Sequence, residues 1–218
     1  MEHDLYIYLL LIDDSEKQLI NLVNFATNDF RDYIDIQGVV KNKQHLYSEI
    51  MAKYFGSIIK NTYYNYLIIN KTAFGKPYFA NCNLQYNVSH SNNLVAIAFS
   101  KSIIGIDIEK IQNCDSNIVA KLYSNKEKEY VYKCPVNQAK RFIEVWTRKE
   151  AYIKYLGKSI NMQVGKLCVF KRGIYKRTTT IFSESYILSI HCQKRIKSIY
   201  LSKLNEKDLL DKLNQIVM

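Results

Sequence analysis

The sequence predicts an α+β fold, and three observations carry that prediction. Residues 84–100, "LQYNVSHSNNLVAIAFS", read as two strands joined directly by a polar turn, so the chain makes hairpins. Residues 136–159, "VNQAKRFIEVWTRKEAYIKYLGKS", form the strongest helix-periodic segment. Strand patterns then follow one another with no helix between them. Hairpins mixed with strand–helix units argue against a regular parallel sheet.

The elements are expected in this order. Residues 5–12, "LYIYLLLI", are a first strand. The run follows acidic Glu2 and Asp4 rather than a basic region and is far short of a membrane span, so it is read as neither signal peptide nor anchor. Residues 13–34 have helical spacing with Leu19, Leu22, Val23 and Ala26 on one stripe, and 42–61 are a second helical segment. A strand at 64–79 runs into a turn around Gly75 and Pro77. The hairpin of 84–100 turns at Ser89–Asn93, and a strand covers 103–109. Ser124 and Glu127 make a capping-box pattern for a short helix. The long helix closes at Gly157. Strands are expected at 167–171 and 177–182 around Arg172-Gly173, then at 185–192 and 196–204. A last helix is capped by Asn205.

Composition bounds the function. With 218 residues, 48% hydrophobic and 23% charged, the chain is globular and long enough for a large core. Five scattered cysteines with no C-x-x-C suit reduced thiols in a cytoplasm, without a zinc site or disulfide framework. The net charge is +11, unevenly spread: residues 1–100 hold 8 Lys+Arg and 9 Asp+Glu, and the rest hold 23 and 11. A basic second half points to an acidic partner or to a solvated lysine-rich surface.

Residues 103–111, "IIGIDIEKI", set two carboxylates into an apolar strand. Side chains alternate, so Asp107 and Glu109 share one face and Ile106 and Ile108 the other. Neighbouring acids repel, the more so when half buried. On the long helix, Phe142, Val145, Trp146, Ile153 and Leu156 form an apolar stripe with Glu150 and Lys154 at its edge. Glu150 and Lys154, four residues apart, are also the spacing of an ordinary helix ion pair. If the three carboxylates meet, oxygen-only ligation suits a hard cation such as Mg²⁺ with substrate phosphates. That points to a magnesium-assisted phosphoryl or diphosphate reaction; the alternative is a structural ion-pair network.

"GIDIE" (105–109) with "WTRKEAYIKYLG" (146–157), and "FGKPYF" (74–79) and "NVSHS" (87–91) before them, resemble the motifs of the 4′-phosphopantetheinyl transferases, the larger Sfp-type monomers in particular. The resemblance implies two similar α+β halves in a pseudo-two-fold arrangement, residues 1–101 and 102–218, with the active site in the cleft between them. The second half would carry the metal and catalytic motifs. It implies transfer of the phosphopantetheine arm of coenzyme A, the co-substrate, to a serine of an apo acyl or peptidyl carrier protein, leaving adenosine 3′,5′-bisphosphate. Asp107, Glu109 and Glu150 would hold Mg²⁺, which Mn²⁺ could replace. Glu150 would also be the base for the serine, and Lys154 would hold the α-phosphate. Lys76, Pro77, Ser89 and His90 would contact coenzyme A. His45 stands where an arginine for the 3′-phosphate is expected, with Lys41 and Lys43 close by. Glu127 matches a family acid near the metal, or serves only its capping box. Lys149 falls on the apolar stripe with no assigned role.

The reading is therefore a cytoplasmic monomeric enzyme, with no nucleic acid and no membrane. The alternative is a non-catalytic basic protein binding nucleic acid or another anion, which would leave the three acids unexplained.

Overall fold

The structure, a computed structural model, describes residues 1–12, 22, 25, 43–158, 164 and 167–217; elements are numbered over these. The predicted helix at 13–34 lies almost wholly outside them. Two sheets are stacked between helices. Strands β1 (Leu5–Leu11), β4 (Gln85–Ser91), β5 (Leu94–Ser100) and β9 (Ile199–Asn205) form the first, in the order β4-β5-β1-β9. β1 runs antiparallel to β5 and parallel to β9, so the last strand returns to the first. Strands β6 (Ile104–Lys110), β7 (Thr178–Phe182) and β8 (Tyr186–Cys192) form the second, in the order β6-β8-β7.

The strand period sorts the side chains into separate cores. Tyr8 and Leu10 of β1, with Val95, Ile97 and Phe99 of β5, pack under helix α1 (Lys43–Lys60). Leu5, Ile7 and Leu9, with Ala96 and Ala98, face the other way and meet Ile104, Ile106 and Ile108 of β6 between the sheets. The two central strands β1 and β5 thus need apolar residues on both faces, which explains the unbroken runs at 5–12 and 94–99. A third core, including Val131, Phe142, Val145 and Val169, lies beneath α2 (Ser116–Leu122), α3 (Asn125–Tyr132) and α4 (Gln138–Leu156). Short α5 (Arg172–Tyr175) precedes β7, and α6 (Glu206–Val217) buries Leu209, Leu210 and Leu213 in the first core. The fold is α+β.

Helix boundaries follow local chemistry. Asp115 caps α2 by accepting from the Asn117 and Ile118 amides, a cap not foreseen in the sequence. α4 ends at Gly157, whose φ of 66° is left-handed and suits glycine. Asn205 and Asp208 cap α6 reciprocally, each side chain accepting from the other's amide at 2.9 and 3.0 Å.

Three expectations fail locally. The strand predicted at 167–171 does not form: the Val169 amide donates to the Glu127 carboxylate, the Lys171 amide to the Cys168 carbonyl, and α5 follows. The predicted strand at 64–79 is broken into a 3-10 turn, Tyr64–Tyr66, and a small hairpin of β2 (Ile69–Lys71) and β3 (Pro77–Phe79). Leu156, placed on the apolar stripe of α4, is exposed.

Candidate active site

The two sheets are joined at one edge by side chains rather than by a backbone ladder. Asn87, Ser89 and Ser91, alternate residues of β4, accept from the amides of Ile106, Ile108 and Lys110, alternate residues of β6, at 2.8, 3.3 and 3.1 Å. The constant offset means that β4 and β6 run in the same direction. The serines do two things at once. Ser89 Oγ donates to Asp107 Oδ1 at 2.8 Å, and Ser91 Oγ donates to Glu109 Oε2 at 2.7 Å. The "NVSHS" stretch therefore carries a period-two signal, N-x-S-x-S, that reading it as a turn missed. Ser91 and Asn87 were not among the predicted site residues.

Helix α4 comes down onto the same strand at Gly105. A Cβ there would sit 2.1 Å from the Ala151 carbonyl oxygen and 2.3 Å from the Tyr155 nitrogen, so only glycine admits this approach. It brings Lys154 Nζ to 2.7 Å from Asp107 Oδ1 and 2.8 Å from Ser89 Oγ. Glu150, one turn earlier, faces the same space. A cavity of about 520 Å³ lies between α1, the β2–β3 hairpin, β4, β6 and α4. Of the predicted residues it is lined by Pro77, Ser89, His90, Asp107, Glu109, Glu150 and Lys154. Its size is that of a small-molecule site.

Lys76 is placed differently. Its ammonium donates to the carbonyls of Ile104 and Lys154 at 3.0 and 2.7 Å, tying the hairpin to β6 and the end of α4. Burial pulls its pKa down to about 8. Its neighbours Gly75 and Pro77 form the cavity wall. His45 and Lys71 also line the cavity, and the His45 and His90 rings lie 5.8 Å apart. Burial lowers the pKa of both histidines, with the charge of Lys71 acting on His45 and those of His45 and Lys154 on His90. Lys41 lies outside the described residues. Trp146, read as core, lines the cavity too.

All three carboxylates are held above the usual range. Burial raises Asp107, and its contacts with Lys154 and Ser89 offset only part of that. Burial, then the charge of Asp107, raises Glu109 against its bond from Ser91. Burial and the charge of Asp107 push Glu150 up to about 7, opposed by Lys154. Two of the oxygens, Asp107 Oδ2 and Glu150 Oε1, are buried with no hydrogen-bond partner. Crowded acids with orphaned oxygens are what a hard cation would relieve. The donor set is all oxygen, as Mg²⁺ prefers. Among the described residues no three His, Cys, Asp or Glu side chains are already drawn into one metal cage. Asp107 Oδ1 is taken by Lys154 and Glu109 Oε2 by Ser91.

Glu127 lies elsewhere. It is fully buried, 2.8 Å from the equally buried Lys149 ammonium, and its Oε2 accepts from the Ser124 amide at 2.7 Å.

Fold and cleft together define an α+β protein whose binding cavity lies where a strand of each sheet meets under one helix. Residues 103–201 match the family model of the 4′-phosphopantetheinyl transferase superfamily. The chain is 26% identical over 193 residues to the 4′-phosphopantetheinyl transferase gsp of Aneurinibacillus migulanus, a match covering 81% of this chain and 79% of that one. It is 30% identical over 154 residues to psf-1 of Bacillus pumilus, covering 66% of this chain and 62% of that one. It is 32% identical over 98 residues to Sfp of Bacillus subtilis strain 168, where 44% of each chain is covered. Over these stretches the chain is similar to the 4′-phosphopantetheinyl transferases, Sfp-type relatives among them. No helix among the described residues is long and apolar enough to cross a membrane.

Proposed function

We propose that this chain transfers the 4′-phosphopantetheine arm of coenzyme A to a serine of an apo carrier protein, releasing adenosine 3′,5′-bisphosphate. The observation that carries the reading is the meeting of Asp107, Glu109, Glu150 and Lys154 in one cavity, with two carboxylate oxygens buried and unpartnered. In this reading the sequence divides into halves at 1–101 and 102–218, related by a pseudo-two-fold, with β9 and α6 crossing back to pack on the first sheet. The protein acts as a cytoplasmic monomer.

Coenzyme A occupies the cavity with its diphosphate at the acids. Pro77 forms one wall, and Lys76 holds that wall in place through the hairpin. His90 and Ser89 face the phosphates, while His45 and Lys71 supply the basic end nearest α1. Asp107, Glu109 and Glu150 would hold Mg²⁺, or Mn²⁺ in its stead. When bound, that ion neutralises diphosphate charge and polarises its oxygens. Phosphate oxygens and water would complete the shell, as Mg²⁺ usually requires.

Glu150 lines the cavity with one buried oxygen free of any hydrogen bond, placed to accept a proton. It takes the proton from the carrier serine hydroxyl. The serine oxygen bonds to the β-phosphorus, and the bond from that phosphorus to the bridging oxygen breaks. Lys154, now beside Asp107 and Ser89, turns its ammonium to the α-phosphate and stabilises the charge that the leaving group acquires. Acids lining the cavity would repel a nucleic-acid backbone, so the basic charge of the second half is assigned to an acidic carrier protein. Lys121 and Lys126, exposed on α2 and α3, are the docking groups proposed for it.

The test is incubation with coenzyme A, Mg²⁺ and a panel of apo acyl and peptidyl carrier proteins, read by intact mass. At least one carrier gains a single phosphopantetheine. No gain on any carrier, with coenzyme A left whole, overturns the reading.

A further inference from the structure

We propose that the buried Glu127–Lys149 pair is a positioning clamp that sets the rotation of α4 and so aims Glu150 into the cavity. The inference rests on the reading of Glu150 as a reacting group. Both charged side chains are wholly inaccessible to solvent. Neither lines the cavity, so neither touches a substrate there. Lys149 Nζ lies 2.8 Å from Glu127 Oε2 and donates to the carbonyls of Val164 and Leu167. Glu127 accepts from the Val169 amide at 2.8 Å and from the Ser124 amide at 2.7 Å. One pair thus ties α3 and α4 to Val164, Leu167 and Val169.

Apolar filling alone would not require these charges, since buried ion pairs can often be replaced by apolar residues without loss of stability. The pair adds direction. Apolar contacts are non-directional and let a helix roll, whereas an ammonium with three acceptors has one good orientation. Successive helix residues are about 100° apart, so orienting Lys149 orients Glu150 beside it. Thr147 adds a second polar contact on the same helix, its Oγ1 2.9 Å from Ser189 Oγ, and Ser189 is the cross-strand partner of Asp107. Lys154 has anchors of its own in Asp107 and Ser89, but no hydrogen bond holds Glu150 Oε1. The aim of Glu150 therefore depends on the helix.

Two variants test this, each measured for coenzyme A binding by calorimetry and for single-turnover transfer to a carrier protein that the unaltered chain modifies. Glu127→Asp keeps the charge and shortens the arm by one methylene. Glu127→Leu with Lys149→Met replaces the pair by apolar volume. Both are expected to bind coenzyme A within about 3-fold of the unaltered chain. Both should transfer about 10–100-fold more slowly per binding site, as a misplaced reacting group does. A native rate per binding site in either variant that folds overturns the clamp, because mere filling would give that result. Loss of binding in step with rate overturns it too, as general collapse. If the double variant does not fold, Glu127→Asp decides alone. If the unaltered chain transfers nothing, the functional reading fails and the clamp falls with it; that control separates the two failures.

Discussion

Lys154 Nζ lies 2.7 Å from Asp107 Oδ1, while Oδ2 of the same buried carboxylate has no hydrogen-bond partner. One oxygen is neutralised and the other is left for something that the protein does not supply. Burial outweighs the lysine and raises the pKa of Asp107. Asp107→Asn keeps the shape and removes the charge. We expect its thermal midpoint to stay within a few degrees of the unaltered chain, because a costly buried charge is removed while the Lys154 ammonium, 29% exposed, keeps access to water. Transfer is expected to fall by more than ~10²-fold. Calorimetric melting beside a carrier-modification assay checks both; full activity would remove Asp107 from the site.

The side-chain seam makes a separate prediction. Asn87 Oδ1 is the acceptor for the Ile106 amide in the interior. Asn87→Ala strands that donor, which costs about 1–3 kcal/mol. Urea unfolding should show that loss, with Asn87 lying outside the acid cluster. No loss would mean that the two sheets hold together without the seam.

Gly105 is where α4 touches β6, with 2.1 Å available to a Cβ before the Ala151 oxygen. Gly105→Ala must push the helix away from the strand. Overpacking of this kind costs about 1–3 kcal/mol or more, and it also separates Lys154 from Asp107. Stability and transfer should fall together, and retention of both would mean that the helix can give way at no loss to the site.

Much of this was legible in the sequence for a physical reason. Asp107 and Glu109 interrupt an apolar strand, and Glu150 and Lys154 border an apolar stripe. Such violations of pattern mark a site whatever surrounds them. α4 was legible because its apolar stripe shows the helical period, and β1 and β5 because burial of both faces makes their apolar runs unbroken. The strand expected at 167–171 was not there because a non-local group, Glu127, takes the Val169 amide that a ladder would have used. The role of Lys149 was hidden for the same reason: its partners, at 127, 164 and 167, lie 15 or more residues away. Lys76 was expected from the family resemblance to contact coenzyme A, and its carbonyl acceptors appear only when the hairpin meets β6 and α4.

His191 gives the chain an acid-sensitive point outside the site. It is buried edge-on between Tyr152 and Tyr155, and its Nδ1 lies 2.8 Å from Thr178 Oγ1. Thr178 donates its one hydrogen to the Ile174 carbonyl, so Nδ1 carries the imidazole hydrogen. Burial, then the charge of Arg177, lowers the pKa from 6.5 to about 4. Between these values the unfolded chain binds the proton and the folded chain does not. The histidine's contribution is therefore intact above 6.5 and is lost as pH falls toward 4. Urea midpoints at steps across that window should decline, and less steeply in His191→Asn. Equal slopes would place the acid sensitivity elsewhere.

The central claim is that Glu150 takes the serine proton while Lys154 serves the phosphate. The most direct measurement is single-turnover transfer to an apo carrier protein, read by intact mass beside calorimetric binding of coenzyme A. It compares the unaltered chain with Glu150→Gln and Lys154→Ala. The account predicts that Glu150→Gln still binds coenzyme A but transfers ~10²–10⁴-fold more slowly, the usual worth of a general base. Lys154→Ala should lose both affinity and rate, because the phosphate charge loses its partner before and during the reaction. A Glu150→Gln variant that transfers at the native rate, or a Lys154→Ala variant that keeps full rate and affinity, would contradict it.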